Sequence, residues 1–193
     1  MKLCGQCIEW NSSLWPASLD LRKAFDRVEY ASLFEALRDQ GVHDDYLSIL
    51  ARIYSDQNGQ VRGSDMFPIE RGVKQGDVIS PLLFNAALEL AMKRWKNRMT
   101  TEGFRIECNC QLTNIRYADD LMIYAKSSAE LASMLESLIE ELAVIGLHLN
   151  AAKTKIFTTD EDAPDMIEVA DSFISVLSDL DSHKYLGRKL PGN

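Results

Sequence analysis

Tyr117-Ala118-Asp119-Asp120 stands between two apolar stretches, residues 110–116 and 121–125, whose spacing predicts the arms of a β-hairpin. The turn joining them carries two adjacent carboxylates. Folding has no need of that pair: at ~4 Å and an effective dielectric near 20, two such charges repel by about 4 kcal/mol. Divalent cations would turn the repulsion into binding. The tetrapeptide therefore points to metal-dependent phosphoryl or nucleotidyl transfer, on a fold that brings another acid to the hairpin tip.

Working outward, residues 17–21 form a short apolar segment around Asp20 and predict a buried strand. Asp26-Arg27-Val28-Glu29 has the form of a capping box. It predicts a helix from Asp26 that buries Val28, Leu33, Phe34 and Leu37 and stops at Gly41. Asp44 is expected to cap a second helix with Leu47, Leu50, Ile53 and Tyr54 facing inward. Short extended pieces are expected at 60–62 and 66–69. The glycine-marked loop Arg71-Gly72-Val73-Lys74-Gln75-Gly76-Asp77 then leads to Ser80 and Pro81. These open a long helix towards Met99, with a buried stripe of Leu83, Phe84, Ala87, Leu90, Ala91 and Trp95.

Beyond the hairpin, Ser127-Ser128-Ala129-Glu130 forms another capping box. It precedes apolar residues at helical spacing, from Leu131 to Ile145, and a stop at Gly146. Strands are expected near 155–159 and 185–190, and the acidic stretch 160–182 reads as loop with some extended or helical pieces. Strand, helices, hairpin, helix and strand in that order predict an α+β fold. Its form is palm-like: a split β-α-β (ferredoxin-like) antiparallel sheet with helices packed on one face. Asp20 would end a central strand beside the tip that carries Asp119 and Asp120.

The chain has 193 residues, 46% hydrophobic and 26% charged, which is enough to bury a real core in one domain or one and a half. No apolar run reaches membrane-spanning length and the first residues lack a signal-peptide core, so no membrane partner is expected. An intracellular protein, cytoplasmic or nuclear, fits these features. The net charge of −8 opposes strong duplex binding by this chain alone, because phosphate contacts show as a basic excess. The cysteines fall as Cys4-x-x-Cys7 and Cys108-x-Cys110 with no histidine beside either pair, so reduced thiols are expected rather than a zinc or redox site.

In order, the chain carries Leu19-Asp20-Leu21-Arg22-Lys23-Ala24-Phe25-Asp26, Gly72-Val73-Lys74-Gln75-Gly76-Asp77 and Ser80-Pro81-Leu82-Leu83-Phe84-Asn85. Tyr117-Ala118-Asp119-Asp120 follows, then Gly146-Leu147 with Asn150 and Lys153-Thr154-Lys155, then Lys184-Tyr185-Leu186-Gly187. This series resembles the reverse-transcriptase domain of non-LTR (LINE-type) retrotransposons, with group II intron enzymes as more distant relatives. The resemblance implies an RNA-directed DNA polymerase that adds dNMP to a primer 3′-hydroxyl on an RNA or DNA template. It implies two Mg²⁺ ions, with Mn²⁺ as a substitute, held by Asp20, Asp119, Asp120 and the backbone carbonyl of Leu21. Lys153 would protonate the leaving pyrophosphate, with Lys155 as a competitor.

By the same resemblance Phe25 would exclude a ribose 2′-hydroxyl, and Gln75 and Gly76 would lie near the incoming nucleotide and templating base. Lys184, Tyr185 and Gly187 would grip the primer terminus, and Tyr117 would pack beneath the active hairpin. The expected domain covers residues 17–193 as a partial palm, after a short segment at 1–16, with fingers largely absent and thumb absent. Weak or no activity is expected of such a fragment. The alternative is a non-catalytic retroelement relic that serves as a folding or interaction module.

Overall fold

Leu14, Trp15, Ala17 and Leu19 are all buried because β1 (Trp15–Leu19) is an inner strand, covered on both faces. The computed structural model describes residues 13–63, 65–107, 110–158, 160 and 162–177, and the backbone of residues 184–185 and 188–189. The chain divides into two compact units. One comprises Met1–Arg22, Asn97–Glu140 and Leu149–Asn193, and the other Lys23–Lys96 and Glu141–His148.

The first unit is built on a six-stranded sheet. Its strands are β1, β6 (Asn114–Tyr117), β7 (Asp120–Ala125), β8 (Lys155–Phe157), β9 (Met166–Val169) and β10 (Ser172–Leu177), in the order β6-β7-β1-β8-β10-β9. β1 runs antiparallel to β7 from Trp15↔Ala125 to Leu19↔Leu121, and antiparallel to β8 through Ala17 and Ser18. Pro16 precedes the β8 ladder, so its missing N–H costs that ladder nothing. The predicted hairpin forms from β6 and β7. Its expected first arm is split, because β5 (Cys110–Leu112) pairs instead with β4 (Phe104–Glu107).

The stretch expected to be mostly loop holds a second hairpin, β9–β10, which joins the sheet through a parallel pairing of β10 with β8. Burial alternates along β9, with Ile167 and Val169 inside and Met166 and Glu168 outside. Ala170 and Asp171 turn the chain with φ of 46° and 59°, the sign pattern of a type I′ turn. That pair lacks the glycine which usually announces such a turn, so no local signal marks the hairpin. Helix 128–144 starts on half of its expected capping box. Ser127 Oγ accepts from Glu130 N at 3.2 Å, while the Glu130 carboxylate accepts from Lys126 N and Gly103 N. The predicted strand near 185–190 is a short backbone hairpin of β11 (Lys184–Tyr185) and β12 (Arg188–Lys189).

The second unit is helical: α1 (Ala24–Arg27), α2 (Tyr30–Asp39), α3 (Asp44–Ser55) and most of α4 (Ser80–Arg98), with α5 (Ser128–Val144) ending in it. The helix expected from Asp26 is two helices, because Val28 leaves helical geometry (ψ 124°) and Glu29 caps α2 without a side-chain bond. Gly41 closes α2 at φ 82°, with its N–H on Arg38 O and Val42 N–H on Leu37 O. His43, not Asp44, caps α3: its Nδ1 accepts from Asp45 N at 3.3 Å. Leu47 and Tyr54 are buried as expected, but Ile53 faces solvent. On α4 every residue of the predicted stripe is buried. The expected strand at 60–62 lies two residues early, as β2 (Asn58–Gly59), which pairs with β3 (Phe67–Pro68). Among the described residues no helix is long and apolar enough to cross a membrane.

Candidate active site

β1 ends at Leu19, and the next residue is held from the opposite side of the sheet by the turn at 149–154. The Asp20 amide donates to Thr154 Oγ1 at 3.3 Å, and its carbonyl accepts from Asn150 N at 2.7 Å. Its Oδ2 accepts from Asn150 Nδ2 at 2.9 Å. Leu21 continues this contact as an isolated antiparallel bridge to Leu149. The turn is tied to itself, since Asn150 O accepts from both Lys153 N and Thr154 N at 3.0 and 2.9 Å. Thr154 is fully buried, whereas Lys153 is exposed. Lys155, the competitor for Lys153, is half-buried and donates to Ser175 Oγ at 2.6 Å, which commits it to the sheet. The sequence shows Asn150 and Thr154 only as members of the motif series; taken alone, an Asn three positions before a Lys signals a turn.

The β6–β7 hairpin brings the other two acids. Tyr117 pairs with Asp120, leaving Ala118 and Asp119 as a two-residue turn. Ala118 sits at φ 53° while Asp119 has negative φ, the sign pattern of a type II′ turn that glycine usually fills. The β1–β7 ladder ends at Leu19↔Leu121, so Asp20 and Asp120 are the residues next to its last pair, one on each chain segment. Partial desolvation, then the negative charges of Asp119 and Asp20, raise the Asp120 carboxyl above its ordinary value, although the side chain remains open to solvent. Among the described residues no three acids, histidines or cysteines are drawn to metal-ligating distance. The negative charges of Asp119 and Asp20 both act on Asp120, so the three acids repel one another near one end of the sheet. Tyr117 does not pack beneath the hairpin: it is 69% exposed, because alternation along β6 puts it and Ile115 on the open face.

The second unit holds the remaining predicted positions. Phe25, in α1, stacks on Phe84 with ring centroids 4.6 Å apart and planes 14° from parallel. Its carbonyl accepts from Val73 N at 2.7 Å. The close backbone approach in the glycine loop belongs to Gly72, where a Cβ would lie 2.7 Å from the Asp26 carbonyl and φ is 90°. Gly76, also at positive φ, has open space around it, so its backbone needs glycine for conformation alone. Gln75 and Gly76 are exposed on a turn closed by Asp77 N–H to Lys74 O. Lys184 and Tyr185 are described as backbone in β11, and Gly187, like Cys4, Cys7 and Cys108, lies outside the described residues.

The model of the reverse transcriptase (RNA-dependent DNA polymerase) family matches residues 5–190. The chain is 34% identical over 145 residues to the Pol polyprotein of the type-2 retrotransposable element R2DM of Drosophila melanogaster, covering 73% of this chain and 13% of that protein. It is 30% identical over 140 residues to the Pol polyprotein of a type-1 element R2 of Popillia japonica, covering 70% of this chain and 23% of that one. The chain thus spans less than a quarter of the length of either relative. Among solved structures it resembles apo telomerase from Candida tropicalis, at 14% identity and a TM-score of 0.63, over 90% of this chain and 34% of that one. A telomerase from the same organism, in complex with a TWJ fragment of telomeric RNA, superposes with a TM-score of 0.57 at 15% identity, over 90% of this chain and 32% of that one. Those likenesses concern the fold, which is α+β in the manner of a polymerase palm. On the strength of the family match and the retrotransposon relatives, the chain belongs to the reverse transcriptase (RNA-dependent DNA polymerase) family.

Proposed function

We propose that this chain supplies the palm of an RNA-directed DNA polymerase that adds dNMP to a primer 3′-hydroxyl. The observation that carries the proposal is the β1–β7 ladder, whose last pair, Leu19↔Leu121, is followed by Asp20 on one strand and preceded by Asp120 on the other. The split β-α-β form is supported by the strand order β6-β7-β1-β8, in which β7 lies antiparallel between β6 and β1. Residues 17–193 would form the reverse-transcriptase domain, after a segment at 1–16.

Asp20, Asp119 and Asp120, with the Leu21 carbonyl, would hold two Mg²⁺ ions, and Mn²⁺ could take their place. The donor set fits: it is all oxygen, and partial desolvation with the neighbouring charges of Asp119 and Asp20 raises the Asp120 carboxyl, a cost that a bound cation would relieve. Bound there, the ions would acidify the primer hydroxyl and neutralise charge on the transferring phosphate. Lys153, exposed on the turn that holds Asp20, would hold a proton for the leaving pyrophosphate. Phe25, kept in place by Phe84 and Val73, would exclude a 2′-hydroxyl and select dNTPs. Gln75 and Gly76 would meet the incoming nucleotide and templating base. Lys184, Tyr185 and Gly187 would hold the primer end. Tyr117, with its ring exposed at the hairpin tip, would contact nucleic acid directly. The match to the reverse transcriptase (RNA-dependent DNA polymerase) family supports an RNA template.

The test is a thermal melt with Mg²⁺ and dNTP together. The chain should melt higher with both present, and Asp119→Asn should abolish the shift. An equal shift in the variant, or none in the parent, would refute the assignment.

A further inference from the structure

We infer that Asn150 is the positioning residue that aims the Asp20 carboxylate at a divalent cation, an inference that rests on the metal-binding role proposed for Asp20, Asp119 and Asp120. Asn150 meets Asp20 twice: its backbone N–H donates to the Asp20 carbonyl at 2.7 Å, and its side-chain Nδ2 donates to Oδ2 at 2.9 Å. The backbone bond fixes where Asp20 stands. The side-chain bond fixes how its carboxylate is turned, and it occupies one oxygen while leaving Oδ1 for a cation.

The chemistry of an amide suits that task. A lysine or arginine at position 150 would pair with Asp20 as a competing cation, and an aspartate would add one more negative charge to a corner that already repels itself. An asparagine donates while staying neutral, so it orients the ligand without cancelling the charge that attracts the metal. Asn150 is half-buried, and its carbonyl starts the turn by accepting from Lys153 N and Thr154 N. One residue therefore fixes the carboxylate orientation and anchors the turn that carries Lys153. Removing the side chain leaves every one of those backbone bonds in place.

The experiment is Mn²⁺ binding to the full 193-residue chain, counted by the electron-spin signal of free Mn²⁺, with no nucleotide or nucleic acid present. Asn150→Ala should weaken binding about tenfold, the lower range for losing a partner that orients a metal ligand. Its metal-free melting temperature should stay within a few degrees of the parent. Asn150→Leu keeps the volume and lacks the donor, so it should show the same loss, and it serves if the alanine variant folds poorly. Asp119→Asn provides the reference. If Asp119→Asn weakens binding and both position-150 variants bind like the parent, Asn150 only supports the turn and this inference is overturned while the metal site stands. If Asp119→Asn also binds like the parent, the metal site itself is wrong and the inference goes with it.

Discussion

Asp20 is held by three hydrogen bonds with Asn150 and Thr154, whereas Asp119 stands with Ala118, at φ 53°, on an exposed two-residue turn and Asp120 is the exposed first residue of the strand that follows. The first acid is fixed by its surroundings at backbone and side chain. The other two are placed by the register of a hairpin and by a backbone conformation that alanine adopts at a cost. The contrast shows two ways of setting a carboxylate where a cation can reach it. It also shows where each should fail: the Asp20 side through lost hydrogen bonds, the hairpin side through charge and turn geometry.

The largest expected effect falls on the hairpin side. Asp119→Asn should remove cation-linked stabilisation, which at a hundredfold excess over Kd amounts to about 2.7 kcal/mol. Melting with and without Mg²⁺ measures it, and a variant that keeps the full shift would place the cation elsewhere. Next comes Thr154→Val on the Asp20 side. It leaves the Asp20 amide without its acceptor beside a fully buried position, at a cost of about 1–3 kcal/mol by urea unfolding. A neutral result would mean that Thr154 does not hold the acid.

A smaller effect is expected at the turn. Ala118→Gly relieves about 1–2 kcal/mol of left-handed strain and adds about 0.5–1 kcal/mol of chain entropy, a net gain of about 0.5 kcal/mol. A loss of similar size in urea would show that the Ala118 methyl packs against something of value.

The smallest effect concerns Asp120, whose folded carboxyl lies above the ordinary aspartate value of 3.8. Below 3.8 the group is protonated in folded and unfolded chains alike and carries no repulsion. As pH rises through the folded value, the ionised group destabilises the fold. Asp120→Asn should therefore raise the melting temperature slightly at pH 7 and leave it unchanged at pH 3. Equal effects at both values would show that charge plays no part.

Much of this was legible in the residues. The Tyr117-to-Asp120 hairpin, the buried stripe of α4 and the glycine stops at Gly41 and Gly146 follow from period, capping and backbone chemistry. That β1 runs beside β7, with Asp20 just past one strand and Asp120 at the start of the other, follows from strand order once Asp20 is read at a strand end. Three features were not legible, each for a physical reason. The β9–β10 strands hide behind a type I′ turn made without glycine. Tyr117 faces outward because side-chain alternation, not aromatic character, sets its direction. Asn150 and Thr154 act through contacts 130 and 134 residues away in sequence, which no local pattern records.

The central claim is that acids distant in sequence converge to hold divalent cations. A crystal of the chain grown or soaked with Mn²⁺, examined by anomalous scattering, tests it most directly. The account predicts a Mn²⁺ peak bonded to Asp20 and to at least one of Asp119 and Asp120. A Mn²⁺ peak on other residues, with these three carboxylates left uncoordinated, would contradict it.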